Sequence, residues 1–267
     1  MEAVKSRLAR GYSRTAALYD EVAGPMYLAG IQRLLPYLRV PPMPAILDVG
    51  CGTGLNLVEA ARRFGPARLL AGIDISPGMV AVARAKTAAL GLPAQIVEGD
   101  AEKLPYPDGL FDLVLCNSVF HWFRDRAAAM REMSRVLRPG GQLALITATA
   151  PGFGEWFTLI DAVVRNLLGP AYAPSVPDLP TGAEVGALMS QSGLLVERIR
   201  NPVKRTRVFD PASFVRVMSV IAPQWAADLP DEAVGQIQML ATDLIQRGWP
   251  TGFPVTWSAV ETIGVKL

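Results

Sequence analysis

In the segment Ile46-Leu47-Asp48-Val49-Gly50-Cys51-Gly52-Thr53-Gly54 an apolar strand runs directly into a glycine loop, and this junction is the most informative feature of the chain. A helical pattern follows at once, over Leu55–Phe64. Glycines let the backbone turn tightly and let a ligand approach without meeting a Cβ atom. The stretch therefore predicts a strand–loop–helix unit with a ligand at its loop.

Outward from this unit, short apolar runs alternate with helical stretches, which predicts parallel βαβ units. The runs lack clean alternation, as expected for strands covered on both faces. The predicted core strands are Ala45–Val49, Leu69–Asp74, Ala94–Glu98, Leu113–Asn117 and Gln142–Thr147, and the further core helices are Pro77–Leu90 and Arg126–Leu137. Beyond Pro151, helices are predicted near 156–168, 183–192, 211–221 and 231–246, and strands at Leu194–Ile199 and Trp257–Val265.

Composition limits the class of protein. Of 267 residues, 51% are hydrophobic and 19% charged, which is typical of a globular chain. We expect no membrane span and no signal peptide, since the segment Met1–Arg7 is charged. Two cysteines cannot build a disulfide framework, so we expect a cytoplasmic protein. A net charge of +2 does not indicate general nucleic-acid binding.

Two acids follow neighbouring strands. Asp74 ends the second predicted strand, where a carboxylate can accept both ribose hydroxyls of a nucleoside. Asp100 follows the third, where it could accept from the amino group of adenine. A dinucleotide dehydrogenase is the first alternative, but its G-x-G-x-x-G pattern, begun at Gly50, requires glycine where Leu55 stands. The acids with the glycine loop predict a different nucleoside cofactor.

The chain resembles the class I S-adenosylmethionine-dependent methyltransferases, and most closely the bacterial small-molecule group that contains the biotin-pathway malonyl-thioester and quinone-pathway enzymes. The resemblance spans about residues 45–149. The matching segments are 46–54, Gly72-Ile73-Asp74-Ile75-Ser76, Glu98-Gly99-Asp100-Ala101 with Leu104-Pro105, Phe111-Asp112-Leu113-Val114 and Arg135-Val136-Leu137-Arg138-Pro139-Gly140-Gly141. These motifs are specific for the cofactor and poorly specific for the acceptor.

The resemblance implies a Rossmann-like, doubly wound α/β fold with a seven-stranded sheet in the order 3-2-1-4-5-7-6, the last strand antiparallel, and a helical cap. We expect an N-terminal helical lid over residues 1–40, the S-adenosylmethionine-binding core over 41–150, and cap helices with the last two strands over 151–267. An insertion of about fifty residues between the last two strands is not explained by the resemblance.

Cofactor contacts follow from the same resemblance. The loop from Gly50 to Gly54 would face the methionine part, Asp74 would hold the ribose, and Ile75 and Met79 would pack on adenine. The full set of expected cofactor residues is Tyr19, Asp48, Gly50, Cys51, Gly52, Gly54, Asp74, Ile75, Met79, Asp100, Ala101, Asn117 and Ser118. For the two cysteines the alternative is a small buried residue. No metal site is expected.

His121 is the only histidine, in Asn117-Ser118-Val119-Phe120-His121-Trp122. It titrates near neutral pH and could remove a proton from the acceptor, which makes it the candidate general base. The alternative is that it packs or hydrogen-bonds at the mouth of the site. Similar sequences often carry glutamine there, which favours a modulating role.

Aromatic residues are the candidate substrate contacts. Tyr12 and Tyr19 lie seven apart and share a helix face, so they either close over the cofactor or pack on the core. Trp122, Phe123 and Trp156 are the other candidates. The high apolar content indicates a largely apolar or aromatic acceptor, with these residues outside the core: Trp156, Phe157, Met218, Trp225 and Trp249.

One basic cluster remains, formed by Arg198, Arg200, Lys204, Arg205 and Arg207. This cluster could bind a phosphate or carboxylate of the acceptor, or it could bind a carrier protein. The alternative is that its charges protect an edge strand. A nucleic-acid methyltransferase is a further alternative, but the Asn/Asp-Pro-Pro-aromatic tetrad is absent at Asn117-Ser118-Val119-Phe120. A non-catalytic cofactor-binding protein also stays open, because binding motifs alone do not prove turnover.

Overall fold

The computed structural model describes residues 2–170, 172 and 178–267. Its helices are α1 (Glu2–Val22), α2 (Gly24–Leu34), α3 (Leu55–Phe64), α4 (Pro77–Ala89), α5 (Arg126–Val136), α6 (Gly154–Leu168), α7 (Gly182–Gln191), α8 (Pro211–Ile221) and α9 (Asp231–Gly248). Short 3-10 turns lie at Leu35–Tyr37, Phe120–Trp122 and Pro223–Trp225. Among the helices of the described chain, none has the length and apolarity that crossing a membrane requires.

The strands are β1 (Ala45–Val49), β2 (Leu69–Asp74), β3 (Ala94–Glu98), β4 (Phe111–Asn117), β5 (Leu137–Ala148), β6 (Leu194–Arg200), β7 (Val203–Val208) and β8 (Phe253–Lys266). They pair in the order β3-β2-β1-β4-β5-β8-β6, with β7 also paired to β8. The first five strands are parallel, and β8 runs antiparallel to its three partners. The expected fold and strand order are confirmed.

The sheet has one strand more than expected. β7 was missed because its sequence, Val203-Lys204-Arg205-Thr206-Arg207-Val208, is mostly exposed and has no apolar face. It pairs only with β8, which confirms that this part of the basic cluster belongs to an edge strand. β5 also begins five residues earlier than predicted, at Leu137, and runs through Pro139-Gly140-Gly141 beside an irregularity in its pairing with β4.

The central strands are buried on both faces, as their apolar sequences predict. β1 and β4 consist entirely of buried residues. The helix starts follow local chemistry: the Ser76 hydroxyl accepts a hydrogen bond from Met79 N–H at 3.2 Å, which confirms the predicted N-cap of α4. The Asp125 carboxylate caps α5 in the same way, from Ala128 N–H at 2.8 Å.

A second hydrophobic cluster lies beyond the sheet and joins α6, α8, α9 and the start of β8. Its largest fully buried side chains are Trp156, Trp225 and Phe253. Most of it comes from the insertion between β6 and β8, which contributes β7, α8 and α9. Together with α6 and the start of β8, the insertion therefore builds a separate apolar layer, which we call the cap.

α1 connects the cap to the sheet. Towards the cap, Asp228 pairs with Arg7 and Arg10, and the Tyr12 hydroxyl donates to Ile221 O at 2.8 Å. Towards the sheet, the Ser13 hydroxyl lies 2.9 Å from that of Ser76. The helix thus contacts both sides of the space at the carboxyl ends of the parallel strands.

Candidate functional site

Two cavities open at the carboxyl ends of the parallel strands, where open α/β sheets bind ligands. One is lined by the glycine loop and by the residues that follow β2 and β3, and we call it the motif cavity. The other, of about 240 Å³, lies between α2, β5, β8 and the cap, and we call it the cap cavity. Asn117, Ser118 and Trp122 line both.

The glycine loop reaches the motif cavity through Gly50 and Gly52. Gly52 has a φ of +51°, and a Cβ placed on it would find no atom within 4 Å, so its face is open to a ligand. A Cβ on Gly50 would lie 2.6 Å from the side chain of Val119. Gly50 therefore allows Val119 to pack closely against the loop, and Gly52 leaves room for a ligand beside it.

Asp74 lines the motif cavity at the end of β2. Its Oδ2 accepts from Gly52 N–H at 2.8 Å and its Oδ1 from Ser76 N–H at 2.9 Å. Each oxygen keeps a lone pair for a ligand hydroxyl. Burial raises the pKa of the Asp74 carboxyl, and backbone hydrogen bonds from Ser76, Gly52 and Ile75 partly offset that rise.

Asp100 and Ala101 also line the motif cavity, and Asp100 has a partner that the sequence did not indicate. Lys5 of α1 forms ion pairs with Asp100 at 2.6 Å and with Glu102 at 2.5 Å. Lys5 and Glu102 belong to the lining themselves. No local motif marks Lys5, because only the packing of α1 across the strand ends brings it there.

Asp48, at the end of β1, is completely buried and is not among the residues that line the cavity. Its Oδ1 accepts from Asn56 at 3.3 Å, and its Oδ2 has no partner among the described residues. Asn56 in turn accepts from the Asn117 side chain at 3.1 Å. Burial raises the pKa of Asp48 to about 8, with the Asn56 hydrogen bond opposing the rise. Asp48 is thus placed to support Asn117.

The structure brings most of the sequence-predicted cofactor residues together. The motif cavity is lined by Tyr19, Gly50, Gly52, Asp74, Ile75, Met79, Asp100, Ala101, Asn117 and Ser118. Cys51 and Gly54 do not line it. The Cys51 thiol is buried and packs beside Gly72, while a Cβ on Gly54 would lie 3.3 Å from Ala83 of α4. Both residues allow neighbouring elements to pack closely.

A row of aromatic rings marks the border between the cavities. Tyr12 meets Trp122 and Tyr19 edge to face, each at 6.3 Å between ring centroids. Tyr19 stacks on Tyr27 at 5.6 Å. Tyr12, Tyr19 and Phe123 line the motif cavity, and Tyr27 lines the cap cavity. Burial raises the pKa of Tyr27 to about 12, so its phenol is neutral.

The cap cavity has mainly apolar walls from elements that are distant in sequence. Its charged groups are few among the described residues: Arg33 and Glu261 form an ion pair at 2.5 Å, and Lys204 reaches the wall from β7. The apolar and aromatic lining consists of Met26, Tyr27, Trp122, Ile146, Ala148, Phe153, Phe157, Leu179, Pro202, Met218, Ile221, Ala222, Trp257 and Ala259. Of these residues, Trp122 was predicted as a substrate contact, and Phe157 and Met218 were among those that indicated an apolar acceptor; the others carry no local signal in the sequence.

His121 lines the cap cavity and is held by Thr147 at the end of β5. The Thr147 hydroxyl oxygen accepts from the His121 backbone N–H at 3.0 Å, and it lies 3.0 Å from Nδ1 of the ring. Desolvation, together with the charge of Arg126, lowers the pKa of His121 to about 3. The imidazole is therefore neutral at pH 7.

Trp156, expected to contact substrate, lies elsewhere. It is completely buried, packs edge to face on Phe214 at 5.6 Å, and lines neither cavity. The next residue, Phe157, lines the cap cavity. One step along a helix rotates a side chain by about 100°, so the two residues face different surroundings. The substrate assignment of Trp156 was wrong.

The motif cavity fits a nucleoside with an attached amino acid. Asp74 offers a free lone pair on each oxygen for a diol, Met79 and Ile75 provide an apolar surface for a base, and the open face of Gly52 leaves room beside the loop. A glycine loop and a strand-end acid on a sheet of this order define a class I S-adenosylmethionine-dependent methyltransferase.

Comparisons with known proteins agree. The methyltransferase domain family model matches residues 47–145. The nocamycin O-methyltransferase of Saccharothrix syringae is 35% identical over 256 residues, which cover 94% of this chain and 84% of that protein. A demethylmenaquinone methyltransferase of Listeria monocytogenes is 28% identical over 62% of this chain and 73% of its own length. The chain therefore belongs to the S-adenosylmethionine-dependent methyltransferase family, and its cofactor is S-adenosylmethionine.

Two further similarities concern part of the chain or the fold alone. The biotin biosynthesis bifunctional protein of Bordetella avium is 38% identical over 154 residues, but the chain spans only 32% of that protein's length and the match covers 58% of this chain. A putative methyltransferase from Bacillus halodurans has the same fold, with a TM-score of 0.63 at 19% identity over 89% of this chain and 99% of its own. At this identity the likeness concerns the fold alone.

Proposed function

We propose that the chain transfers a methyl group from S-adenosylmethionine in the motif cavity to a largely apolar small molecule in the cap cavity. The observation that supports this most directly is that Asn117, Ser118 and Trp122 line both cavities. Two ligands would therefore meet across a shared wall. The apolar and aromatic lining of the cap cavity supports the acceptor class.

The cofactor residues proposed are those of the motif cavity. Asp74 accepts the ribose hydroxyls, Ile75 and Met79 pack on adenine, and Asp100 with Ala101 meets the adenine edge. Gly50, Gly52, Asn117 and Ser118 surround the remaining part. Asp48 acts indirectly, through Asn56 and Asn117, and Lys5 fixes the position of the Asp100 carboxylate.

The chain's own contribution to the reaction is alignment and exclusion of water. S-adenosylmethionine supplies an electrophilic methyl group on a positively charged sulfur. Ser118 holds the wall between the cavities: it adopts a left-handed φ of 62°, its N–H donates to Ile146 O at 2.7 Å, and its hydroxyl donates to Asn117 at 3.0 Å. Trp122, Tyr12 and Tyr19 close the border against water. Positioning of this kind lowers a bimolecular barrier by several kcal/mol.

His121 modulates the reaction and does not act as its base. Its neutral ring is held by Thr147 and faces the cap cavity, where it contributes a hydrogen bond and a surface. A general base works best when its pKa lies near the working pH, and a pKa of about 3 is far below it.

We also propose the division into a lid over residues 1–40, a cofactor core over 41–150 and an acceptor cap over 151–267. The contacts of α1 with both the cap and the strand ends support the lid. Limited proteolysis with and without S-adenosylhomocysteine tests it. Cleavage within residues 5–20 should slow when the ligand is bound, whereas equal cleavage would argue against a lid.

The acceptor is proposed to be free or carrier-bound, and not a nucleic acid. The name of the nocamycin relative supports a small molecule, as do the narrow, mainly apolar walls of the cap cavity. The location is proposed to be cytoplasmic, in agreement with the two free, buried thiols of Cys51 and Cys116.

One experiment tests the proposal as a whole. Calorimetry should show micromolar-range binding of S-adenosylmethionine, about 8 kcal/mol, competed by S-adenosylhomocysteine, and no binding of NADH. Methyl-labelled cofactor incubated with a bacterial metabolite extract should then label small molecules, and filtration by size separates free acceptors from carrier-bound ones. Labelling confined to added tRNA or DNA, or tight binding of NADH, would contradict the proposal.

A further inference from the structure

Among the residues that the structure describes, the lining of the cap cavity offers no group suited to remove a proton at neutral pH. Its titratable side chains are Tyr27, Arg33, His121, Lys204 and Glu261. The phenol of Tyr27, with a pKa of about 12, keeps its proton, and the imidazole of His121, with a pKa of about 3, is too weak a base to hold one at pH 7. Glu261, 3% exposed, accepts from Nε and Nη2 of Arg33 at 2.9 and 2.5 Å, so its charge is already neutralised. An acceptor that had to lose a proton would find no free base among these described side chains.

Lys204 is the one cation of that wall without an anionic partner among the described residues, since Arg33 is paired with Glu261. Its position follows from strand geometry: Lys204 is opposite Trp257 in the β7–β8 register, and both line the cavity. Arg205, one residue on, does not line it. Among its described residues, the wall therefore carries one positive charge without an anionic partner, on a side chain that also reaches solvent.

We propose that the acceptor reaches the cap cavity already ionised, as an apolar acid whose carboxylate or acidic enol oxygen faces Lys204 and becomes methylated. This inference rests on the proposed function and names its substrate class. A negative charge in a mainly apolar cavity needs a cation beside it, and Lys204 supplies one. An acceptor that is already ionised also needs no base, because it has no proton to lose.

The step balances without an acid or a base. The acceptor oxygen anion forms a bond to the methyl carbon, the bond between that carbon and sulfur breaks, and its electron pair stays on sulfur. The positive sulfonium and the negative oxygen both become neutral, and no proton is released. Methylation of a neutral hydroxyl or an ammonium group would instead release one proton per transfer.

The first test separates a bacterial metabolite extract on an anion exchanger at pH 7 and supplies each fraction with methyl-labelled cofactor. The label should enter compounds of the retained fraction, and the product should bind the exchanger less strongly because it has lost a charge. Release of labelled methanol in mild base then distinguishes a methyl ester from an enol ether. Transfer to the unretained fraction alone would overturn the acid and leave the proposed function intact; no transfer to any fraction would contradict both.

The second test measures binding directly, with the protein saturated with S-adenosylhomocysteine and with cinnamate and cinnamamide as matched probes. Cinnamate should bind about tenfold more tightly than its amide, and Lys204→Met should remove that preference while Lys204→Arg keeps it. Arg205→Met, on the same strand but outside the cavity, is the control and should change nothing. Absence of a preference in the native protein, or equal effects of Lys204→Met and Arg205→Met, would overturn the assignment of Lys204.

Discussion

The two cavities are built in different ways, although they share a wall. The motif cavity is formed largely by residues that directly follow β1, β2, β3 and β4, so each lies in a short motif beside a strand. The cap cavity takes its walls from α2, β5, α6, β7, α8 and β8, which are spread over more than 200 residues. The position of the strand ends thus determines the motif cavity, whereas tertiary packing determines the cap cavity.

This difference has a physical cause. A parallel sheet places all carboxyl ends of its core strands at one edge. The loops that follow these strands therefore reach a common ligand because of the strand direction alone. An apolar wall has no comparable rule, because Phe or Met on a helix serves equally well in a core or in a cavity. Substitutions that distinguish residues lining a cavity from residues buried in the core test this comparison.

The largest effect is expected for Trp156→Ala. Trp156 is completely buried against Phe214, so the substitution should lower the free energy of unfolding by about 3–5 kcal/mol, measured by urea denaturation. Phe157→Ala is the matched variant on the same helix. Because Phe157 is only partly buried and lines the cap cavity, it should cost about 1 kcal/mol of stability and mainly raise the KM for the acceptor. Equal losses of stability would contradict this distinction.

Asp74→Ala probes the motif cavity. Loss of two charge-assisted hydrogen bonds to the ribose should weaken S-adenosylmethionine binding by about 2–4 kcal/mol, measured by calorimetry on the folded protein. Glu98→Ala is the control, since Glu98 is opposite Asp74 in the β2–β3 register but is exposed and outside the cavity. An unchanged dissociation constant for Asp74→Ala would remove Asp74 from the cofactor site.

Asp48 should give the unbound protein a pH-dependent stability. Its pKa rises from 3.8 to about 8 on folding, so between these values the folded state holds one proton more than the unfolded state. The stabilisation by the protonated group is complete below pH 3.8 and is lost as the pH rises through about 8. Below pH 6.5, His121 has the opposite effect, because its pKa falls on folding and the unfolded state binds the proton.

The Asp48 contribution is therefore visible above pH 6.5. From there to pH 8 it should lower the free energy of unfolding by about 1.4 kcal/mol per pH unit, about 2 kcal/mol in all. Asp48→Asn should remove this part of the slope in urea denaturation. In Asp112→Asn the slope above pH 6.5 should stay as in the native protein, since hydrogen bonds from Ala45 N–H and Arg138 hold the pKa of Asp112 below its usual range despite burial.

The smallest effect is expected for His121→Gln. Glutamine keeps a similar size and hydrogen bonding to Thr147 but cannot act as a base near neutrality. Turnover should fall by less than about tenfold, because a general base contributes about 10²–10⁴-fold. A hundredfold loss with cofactor binding intact, together with loss of a pH dependence near neutrality, would make His121 the base.

The sequence predicted the parallel core, the strand order and most of the motif cavity, because glycines and acids after strands have few other uses in this pattern. It did not predict Lys5 or Glu102 at that cavity, since the Lys5 ion pairs depend on how α1 packs. It missed β7, whose exposed basic residues lack a buried face, and it chose Trp156 where the geometry places Phe157. Composition shows that aromatics are present, and only tertiary structure shows which of them face a ligand.

The strand β8 has a consequence for how such an enzyme diverges. Its residues Ala259–Val265 are held on β5 by seven register pairs, while Phe253–Ser258 pair with β7 alone. The carboxyl half is thus tied to the catalytic sheet, and the amino half belongs to the cap. Insertions, deletions or exchanges between Arg200 and Phe253 can accumulate during evolution without shifting the register on β5. Acceptor preference can therefore change through one contiguous segment of the gene, while the part that binds the cofactor stays as it is.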